Sequence, residues 1–377
     1  MSVMQISTGD LPTTGLPREA YVDPVWYERD LELVFKPRWM WAAHISQLPE
    51  AGSYIVYELG TESVIIVRDE SGVVRGFHNV CRHRGAQLLD RPHGQCAGPI
   101  VCPYHGWSYR HDGSLKAAPR MHEGFSVDDL GLHPAPVEVW NGMVFVCLAD
   151  TAPLPVATQL AEVDFGPYAL EQTRVVGVDE HIVEANWKLV WENGLECYHC
   201  ALNHPELKSV VQVIRDGPQP SHIETGEFDF RPEYPVLPGR STLTLDGQLQ
   251  SERLLGLADA PPDRVSFLQW HTTGLEIVCA KDHAIVLSYR PLAPTRTSVR
   301  LIGLVHEDAE AGRDFDPATL FELHRLTRDQ DDALVERVQK GVMSSRYTPG
   351  PFNEGYEFMN RNFVRLYREA IEARKID

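Results

Sequence analysis

The chain has 377 residues, enough for two domains of ordinary size. Its formal net charge of −18 argues against a nucleic-acid partner, because phosphate backbones attract basic faces. No apolar run reaches bilayer-spanning length and the opening residues lack a charged-then-apolar leader, so neither membrane insertion nor secretion is expected, and seven cysteines without a spaced framework fit a reducing cytoplasm.

In chain order, Asp23-Pro24 reads as an N-cap followed by proline at the first helical position, opening a short helix that Lys36-Pro37 ends. Residues 63–68, rich in Val and Ile, predict a strand, 69–72 a turn, and 73–80 a second strand. Residues 137–140 and 143–148 flank Asn141-Gly142, a dipeptide that supplies the positive φ angles of a type I′ hairpin turn. The Pro- and Ala-rich stretch 149–158 reads as a linker. Beyond it, 284–289 and 297–306 predict neighbouring strands. Asp316-Pro317 caps a long helix to about Lys340, stopping at Gly341, and a last helix is expected over 360–374.

Two short runs carry the first chemistry: Cys81-Arg82-His83 and Cys102-Pro103-Tyr104-His105. Each offers one thiolate and one imidazole, the mixed set of a Rieske [2Fe–2S] cluster, in which two cysteines hold one iron and two histidines the other. A zinc ribbon would favour C-x2-C pairs, and neither run has that form. Gly85 and Gly106 follow the two runs and tolerate the angles of a tight ligand loop, which Pro103 stiffens. Cys96, in the eighteen residues between His83 and Cys102, is read as a bystander.

A second site is legible in 186–202, NWKLVWENGLECYHCAL, which predicts a helix with Asn186 as its cap. Glu196 and His199, three apart, would share a helix face. His204 precedes Pro205, which disfavours helical angles, so a turn around 202–203 would bring His204 back toward His199. Two imidazoles lack one carboxylate to complete the facial triad of a non-haem Fe(II) site. Candidates are Asp329, Asp331 and Asp332; Asp331 falls on the stripe Leu320, His324, Thr327, Leu334, Val338 and Val342, with Asp332 about 100° away as the fallback. Glu196, beside His199, is placed to accept a hydrogen bond from that imidazole's second nitrogen. Cys197-x2-Cys200 lacks the strand–turn–helix setting of a redox dithiol.

CRHRGA at 81–86, CPYHGW at 102–107, ECYHCALNH at 196–204 and DDALVERVQKG at 331–341 together resemble the Rieske non-haem iron oxygenases, over nearly the whole chain. Glu196, where many ring dioxygenases carry Asp, resembles the homo-oligomeric branch that includes choline, glycine betaine and carnitine monooxygenases. The resemblance implies an α+β chain: a small all-β Rieske domain with an N-terminal helix in 1–158 (core about 40–150), and in 159–377 a larger α+β, helix-grip-like catalytic domain with an antiparallel sheet and a long C-terminal helix. It implies an oxidoreductase that takes O2 and NAD(P)H electrons, through a flavin/iron–sulfur reductase or ferredoxin, to hydroxylate or N-dealkylate a small molecule, with a quaternary amine as one substrate class. Cys81, His83, Cys102 and His105 would hold the cluster, and His199, His204 and Asp331 the mononuclear iron. Glu196 would be the catalytic bridge to His105 of a neighbouring protomer in a homotrimer with intersubunit electron transfer.

Other readings compete. A ring or natural-product hydroxylase of the same family would use the same metals, and a pure Rieske electron carrier would need only the first set. A quaternary amine would call for an aromatic cage, for which Trp270, Tyr289, Tyr347, Phe352, Tyr356 and Phe358 are candidates alongside ordinary core packing.

Overall fold

The computed structural model describes residues 11–212, 223–224, 227–256, 264–271 and 273–372. Its contacts divide into a compact unit, Lys36–Leu160, and a second unit made of the residues up to Phe35 together with those from Ala161 onward.

Two short helices, α1 (Glu19–Val22) and α2 (Pro24–Arg29), open the described chain, and α2 runs into a π-helical turn over Asp30–Phe35. The Asp23 carboxylate accepts from the Val25 N–H at 2.8 Å, the cap expected from Asp-Pro.

The smaller unit is all β apart from short helical turns. Strands β1 (Met40–His44), β2 (Ser53–Leu59), β3 (Glu62–Arg68), β4 (Val74–His78), β5 (His93–Gln95), β6 (Ile100–Val101), β7 (Ser108–Tyr109), β8 (Leu115–Ala117), β9 (Pro134–Ala135), β10 (Val137–Trp140) and β11 (Met143–Val146) form three antiparallel sheets, ordered β5-β2-β3-β4-β9, β6-β7-β8 and β1-β11-β10. The β10–β11 hairpin turns at Asn141 (φ 46°) and Gly142 (φ 76°), as the Asn-Gly signal requires. The helix α3 (Val156–Gln159) ends the unit.

In the larger unit, β12 (Thr173–Val183) leads to α4 (Trp187–Gly194), α5 (Cys200–Asn203) and α6 (Pro205–Lys208). Strands β13 (Ile223–Glu224), β14 (Phe228–Pro235), β15 (Arg264–Trp270), β16 (Leu275–Cys279), β17 (Ala284–Ala293) and β18 (Arg296–His306) join β12 in a seven-stranded antiparallel sheet, ordered β12-β18-β17-β16-β15-β14-β13. Then come α7 (Pro317–Leu320), the long α8 (Glu322–Val342) and α9 (Phe358–Glu372). A small all-β domain and a larger α+β domain with an antiparallel sheet and long C-terminal helices match the fold class expected. The helix expected from Asp316-Pro317 is interrupted at Phe321, whose φ of −105° and ψ of 9° are not helical, and it passes Gly341 by one residue. Positions 373 and 374 of the last expected helix lie outside the described residues. Among the described residues no helix is long and apolar enough to cross a membrane.

The N-terminal helix, expected with the Rieske domain, falls instead in the catalytic unit, and a buried ion pair lies at the centre of that packing. Asp30 and Lys188 have fully buried side chains and are in direct contact. Asp30 also accepts from Trp187 Nε1 at 2.8 Å and from the Tyr367 hydroxyl at 2.6 Å. One carboxylate thus joins the N-terminal segment, α4 and α9, while the Lys188 ammonium lies about 5 Å from the Trp187 and Tyr367 rings. Burial lowers the Lys188 pKa and Asp30 opposes that shift. A buried charge left without its partner is strongly destabilising. Lys188→Met is therefore expected to cost about 3–5 kcal/mol in urea unfolding followed by tryptophan fluorescence, and a loss below about 1 kcal/mol would remove the pair from this role.

Candidate metal centres

In the smaller unit, the first ligand run follows β4 and the second forms the turn between β6 and β7. The two loops are built alike. The Cys81 N–H donates to the Ala86 carbonyl (2.8 Å) and Gly85 N–H to Cys81 (2.9 Å); the Cys102 N–H donates to the Trp107 carbonyl (2.7 Å) and Gly106 N–H to Cys102 (3.1 Å). Gly85 and Gly106 both sit at φ 73°, a conformation that costs glycine nothing. Asn79, which sequence reasoning passed over, pins the first loop: its side-chain oxygen accepts from the Leu88 and Leu89 N–H groups, each at 3.0 Å.

Both cysteines are buried, whereas His83 and His105 are exposed, with ring centroids 4.7 Å apart. Trp107 stacks on His83 at 4.8 Å, and the Tyr109 hydroxyl accepts from Arg82 N–H (3.0 Å) and lies 3.3 Å from the Cys81 sulfur. Burial above all, with the Cys81 thiol beside it, raises the Cys102 thiol pKa, and a bound cation would counter that rise. Two thiolates inside and two imidazoles outside fit the donor set of a Rieske cluster.

The second site lies wholly in the larger unit and its backbone differs from expectation. Helix α4 ends at Gly194, so Glu196 and His199 are not on one continuous helix. Glu196 instead closes a turn: one carboxylate oxygen accepts from the Tyr198 and His199 N–H groups, while the other lies 2.5 Å from His199 Nδ1. The chain resumes as α5 and breaks at His204 (φ −118°, ψ 73°), directly before Pro205, as the proline predicts.

His199 Nε2, His204 Nε2 and Asp331 Oδ1 then converge, with separations of 3.2, 3.1 and 2.9 Å. Donors about 3 Å apart are what one face of an octahedron requires when each metal–ligand bond is about 2.1 Å. Each imidazole is held from behind. His199 Nδ1 faces Glu196, and His204 Nδ1 lies 2.7 Å from the Gln330 carbonyl oxygen, whose amide donates to Glu206 at 2.9 Å. Donation of both Nδ1 protons outward would leave both Nε2 lone pairs free for a metal held beside Asp331. Burial opposes a charge on His199, but Asp331 and Glu196 outweigh it and pull its pKa to about 9; burial likewise opposes, and the two imidazoles enforce, a lowered Asp331. The set is short of one cation, which a divalent metal fits.

Geometry also separates the aspartates. Asp332 turns away to His181 Nε2 (2.6 Å), and burial raises its carboxyl to about 6 against the pull of His181 and Arg328. The helix face differs from the stripe expected: Val338 is exposed, while Arg328, Val335 and Gln339 are buried, so both aspartates border the packed side. Cys197 and Cys200 form a disulfide across this turn, with the Cys200 sulfur 3.9 Å from His199 Nε2.

A cavity of about 240 Å³ opens onto the three donors. Of the six aromatic candidates, Tyr289, Tyr356 and Phe358 line it; Trp270 is in the core, Tyr347 packs edge-on against Tyr21, and Phe352 lies near Gly15. Phe267 lines it as well and was missed, as was Glu276. A lone charge within the strand run LEIVC was the available signal for Glu276.

The chain matches the ring hydroxylating alpha subunit (catalytic domain) family over residues 169–373 and the Rieske [2Fe-2S] domain over 38–140. It is 34% identical to the glycine betaine monooxygenase oxygenase subunit of Chromohalobacter salexigens, across 96% of this chain and 86% of that one. It is 30% identical to the carnitine monooxygenase oxygenase subunit of Escherichia coli (strain K12), across 88% and 85%. Its fold is similar to the crystal structure of the quaternary ammonium Rieske monooxygenase CntA, with a TM-score of 0.80 at 23% identity over 98% of this chain and all of that one.

Asp331→Asn and His204→Ala are each expected to lower bound iron from about three atoms per chain to about two, those of the [2Fe–2S] cluster, with cluster absorbance kept. Asp332→Asn should leave the iron content unchanged.

Proposed function

The chain belongs to the ring-hydroxylating Rieske oxygenase family and is an oxidoreductase with a Rieske [2Fe–2S] domain and a non-haem iron catalytic domain; on that premise we propose that it is a monooxygenase for a small quaternary ammonium substrate. The observation that carries this reading is the convergence of His199, His204 and Asp331 within 3.2 Å of one another at a cavity that also holds Glu276 and Tyr289. The names of the relatives point to the same substrate class.

Cys81, His83, Cys102 and His105 would hold the cluster, and His199, His204 and Asp331 the iron. When bound, these groups supply single electrons and O2 activation, which no side chain offers. The overall reaction takes up O2, two electrons and two protons, places one oxygen on the substrate and releases the other as water. Hydroxylation of a carbon beside the nitrogen gives a carbinolamine, which collapses to the dealkylated amine and an aldehyde. Electrons would come from NAD(P)H through a flavin/iron–sulfur reductase or a ferredoxin, in the cytoplasm.

The chain's own part is orientation and insulation. Glu196 uses one oxygen to fix the His199 ring and the other to fix the turn that carries it. We read the same carboxylate as the contact to His105 of a neighbouring protomer in a head-to-tail homotrimer. Exposed aromatic groups beside each end support this: Tyr198 next to His199 is 55% exposed and Tyr104 next to His105 is 58% exposed.

With a surrogate reductase, glycine betaine or a related trimethylammonium compound should stimulate O2 consumption and yield the aldehyde. Stimulation by aromatic hydrocarbons alone would overturn the substrate assignment. Glutamine at 196 can accept with one terminal atom only, so either the His199 Nδ1–H or the backbone N–H pair loses its acceptor. Glu196→Gln should therefore keep both metals while coupled turnover falls about 10–100-fold. Full activity in that variant removes Glu196 from the electron path.

A further inference from the structure

We infer that Glu276 is the counter-ion of the substrate's quaternary ammonium group, on a sheet wall where Tyr289 supplies the adjoining ring face. This rests on the substrate class proposed above and adds the residue that selects it.

The sheet sets the geometry. Gln269 on β15, Glu276 on β16 and Leu287 on β17 are paired across three strands, so their side chains share one face, and that face lines the cavity. Tyr289, two residues beyond Leu287, lies on the same face and packs at 5.3 Å against Trp191 of α4. The Gln269 amide donates to the Gly194 carbonyl (2.6 Å) and to Glu276 Oε2 (3.2 Å), which fixes the carboxylate. Gly194 at the end of α4 borders these groups: a Cβ there would stand 3.8 Å from the Tyr289 hydroxyl and 4.0 Å from Glu276 Oε2.

Charge balance points the same way. Among the described residues no Lys, Arg or His forms an ion pair with Glu276. The two arginines on the cavity wall are already committed: Arg231 to Asp229 at 2.7 Å, and Arg328 to Asp179 and Asp329, each at 2.9 Å. Asp331 would be neutralised by the iron it helps to hold, which leaves Glu276 as the carboxylate in want of a cation. Burial, with the Asp331 charge, pushes its carboxyl up to about 7 against the Gln269 amide and the more distant Arg231, and a cation in contact would favour its ionised form. A trimethylammonium group suits such a place. It has no N–H to donate, so it asks for a nearby negative charge and an aromatic face rather than a hydrogen-bonding fork. Glu276 and Tyr289 line the same cavity as His199, His204 and Asp331, which puts this wall beside the iron donors.

The test is calorimetric titration of the anaerobic holoenzyme with glycine betaine and with its carba analogue, in which a tert-butyl group replaces trimethylammonium. The parent is expected to bind the betaine at least about tenfold more tightly than the neutral-headed analogue, the scale of leaving one buried charge without its partner. Glu276→Gln should weaken betaine binding about tenfold or more and erase the discrimination, with iron content and cluster absorbance unchanged. Glu276→Asp, which keeps the charge, should restore part of it. If the glutamine variant does not fold, the parent's discrimination and the aspartate variant still decide the matter. A parent that binds betaine, with a glutamine variant that discriminates as well as the parent, overturns the role of Glu276 and leaves the substrate class standing. A parent that binds no quaternary ammonium compound overturns both.

Discussion

A carboxylate facing inward from the middle of a long helix is the constraint on which the larger unit depends. Asp331 is three-quarters buried, and such a charge is tolerable only beside opposite charge. The compensation comes from a helix that cannot stay whole. After α4 the chain turns at Glu196, resumes for one turn and breaks again at His204-Pro205, and these two interruptions swing both imidazoles to the same point. Glu196 and Gln330 then fix the rings so that only the Nε2 edges face the acid. Upstream, the Asp30–Lys188 pair anchors α4 itself. The donor triangle is therefore the far end of a chain of fixed backbone, rather than a set of side chains meeting by flexibility.

The two cluster loops show a second kind of economy. Their hydrogen bonds and glycine angles are nearly interchangeable, yet cysteine always takes the inner place and histidine the outer. Burial suits a thiol, which loses little on leaving water, while the two imidazoles stay exposed to solvent. These four residues would hold the cluster, with neutral imidazoles in place of two thiolates raising its potential.

Both candidate donor sets were legible in the sequence because metal chemistry restricts residue type and spacing severely. Cys81, His83, Cys102 and His105 needed no structure to be grouped, and the proline after His204 already signalled a break. The sheet residues were another matter. Glu276, Gln269 and Phe267 reach the cavity only through the pairing of strands distant in sequence, and strand register is invisible to local pattern. Helical periodicity misplaced the packed face of α8, counting Val338 inward, because Arg328 and Gln339 are buried by partners on other elements: Arg328 pairs with Asp179, and Gln339 accepts from the Asn186 N–H. The placement of the N-terminal helix failed for the same reason, since an ion pair between residues 30 and 188 has no local signature.

That pair makes the catalytic unit discontinuous, with residues 36–160 inserted between its first segment and the rest. During synthesis Asp30 leaves the ribosome long before Lys188, and longer still before Tyr367. The inserted β unit holds its own hydrophobic core and can close as it emerges, whereas the first helix must wait in solvent for partners from the far end of the chain. A translation product truncated before α9 would therefore carry a finished iron–sulfur fold attached to an unsatisfied α2, because α9 supplies the Tyr367 hydroxyl that Asp30 accepts from.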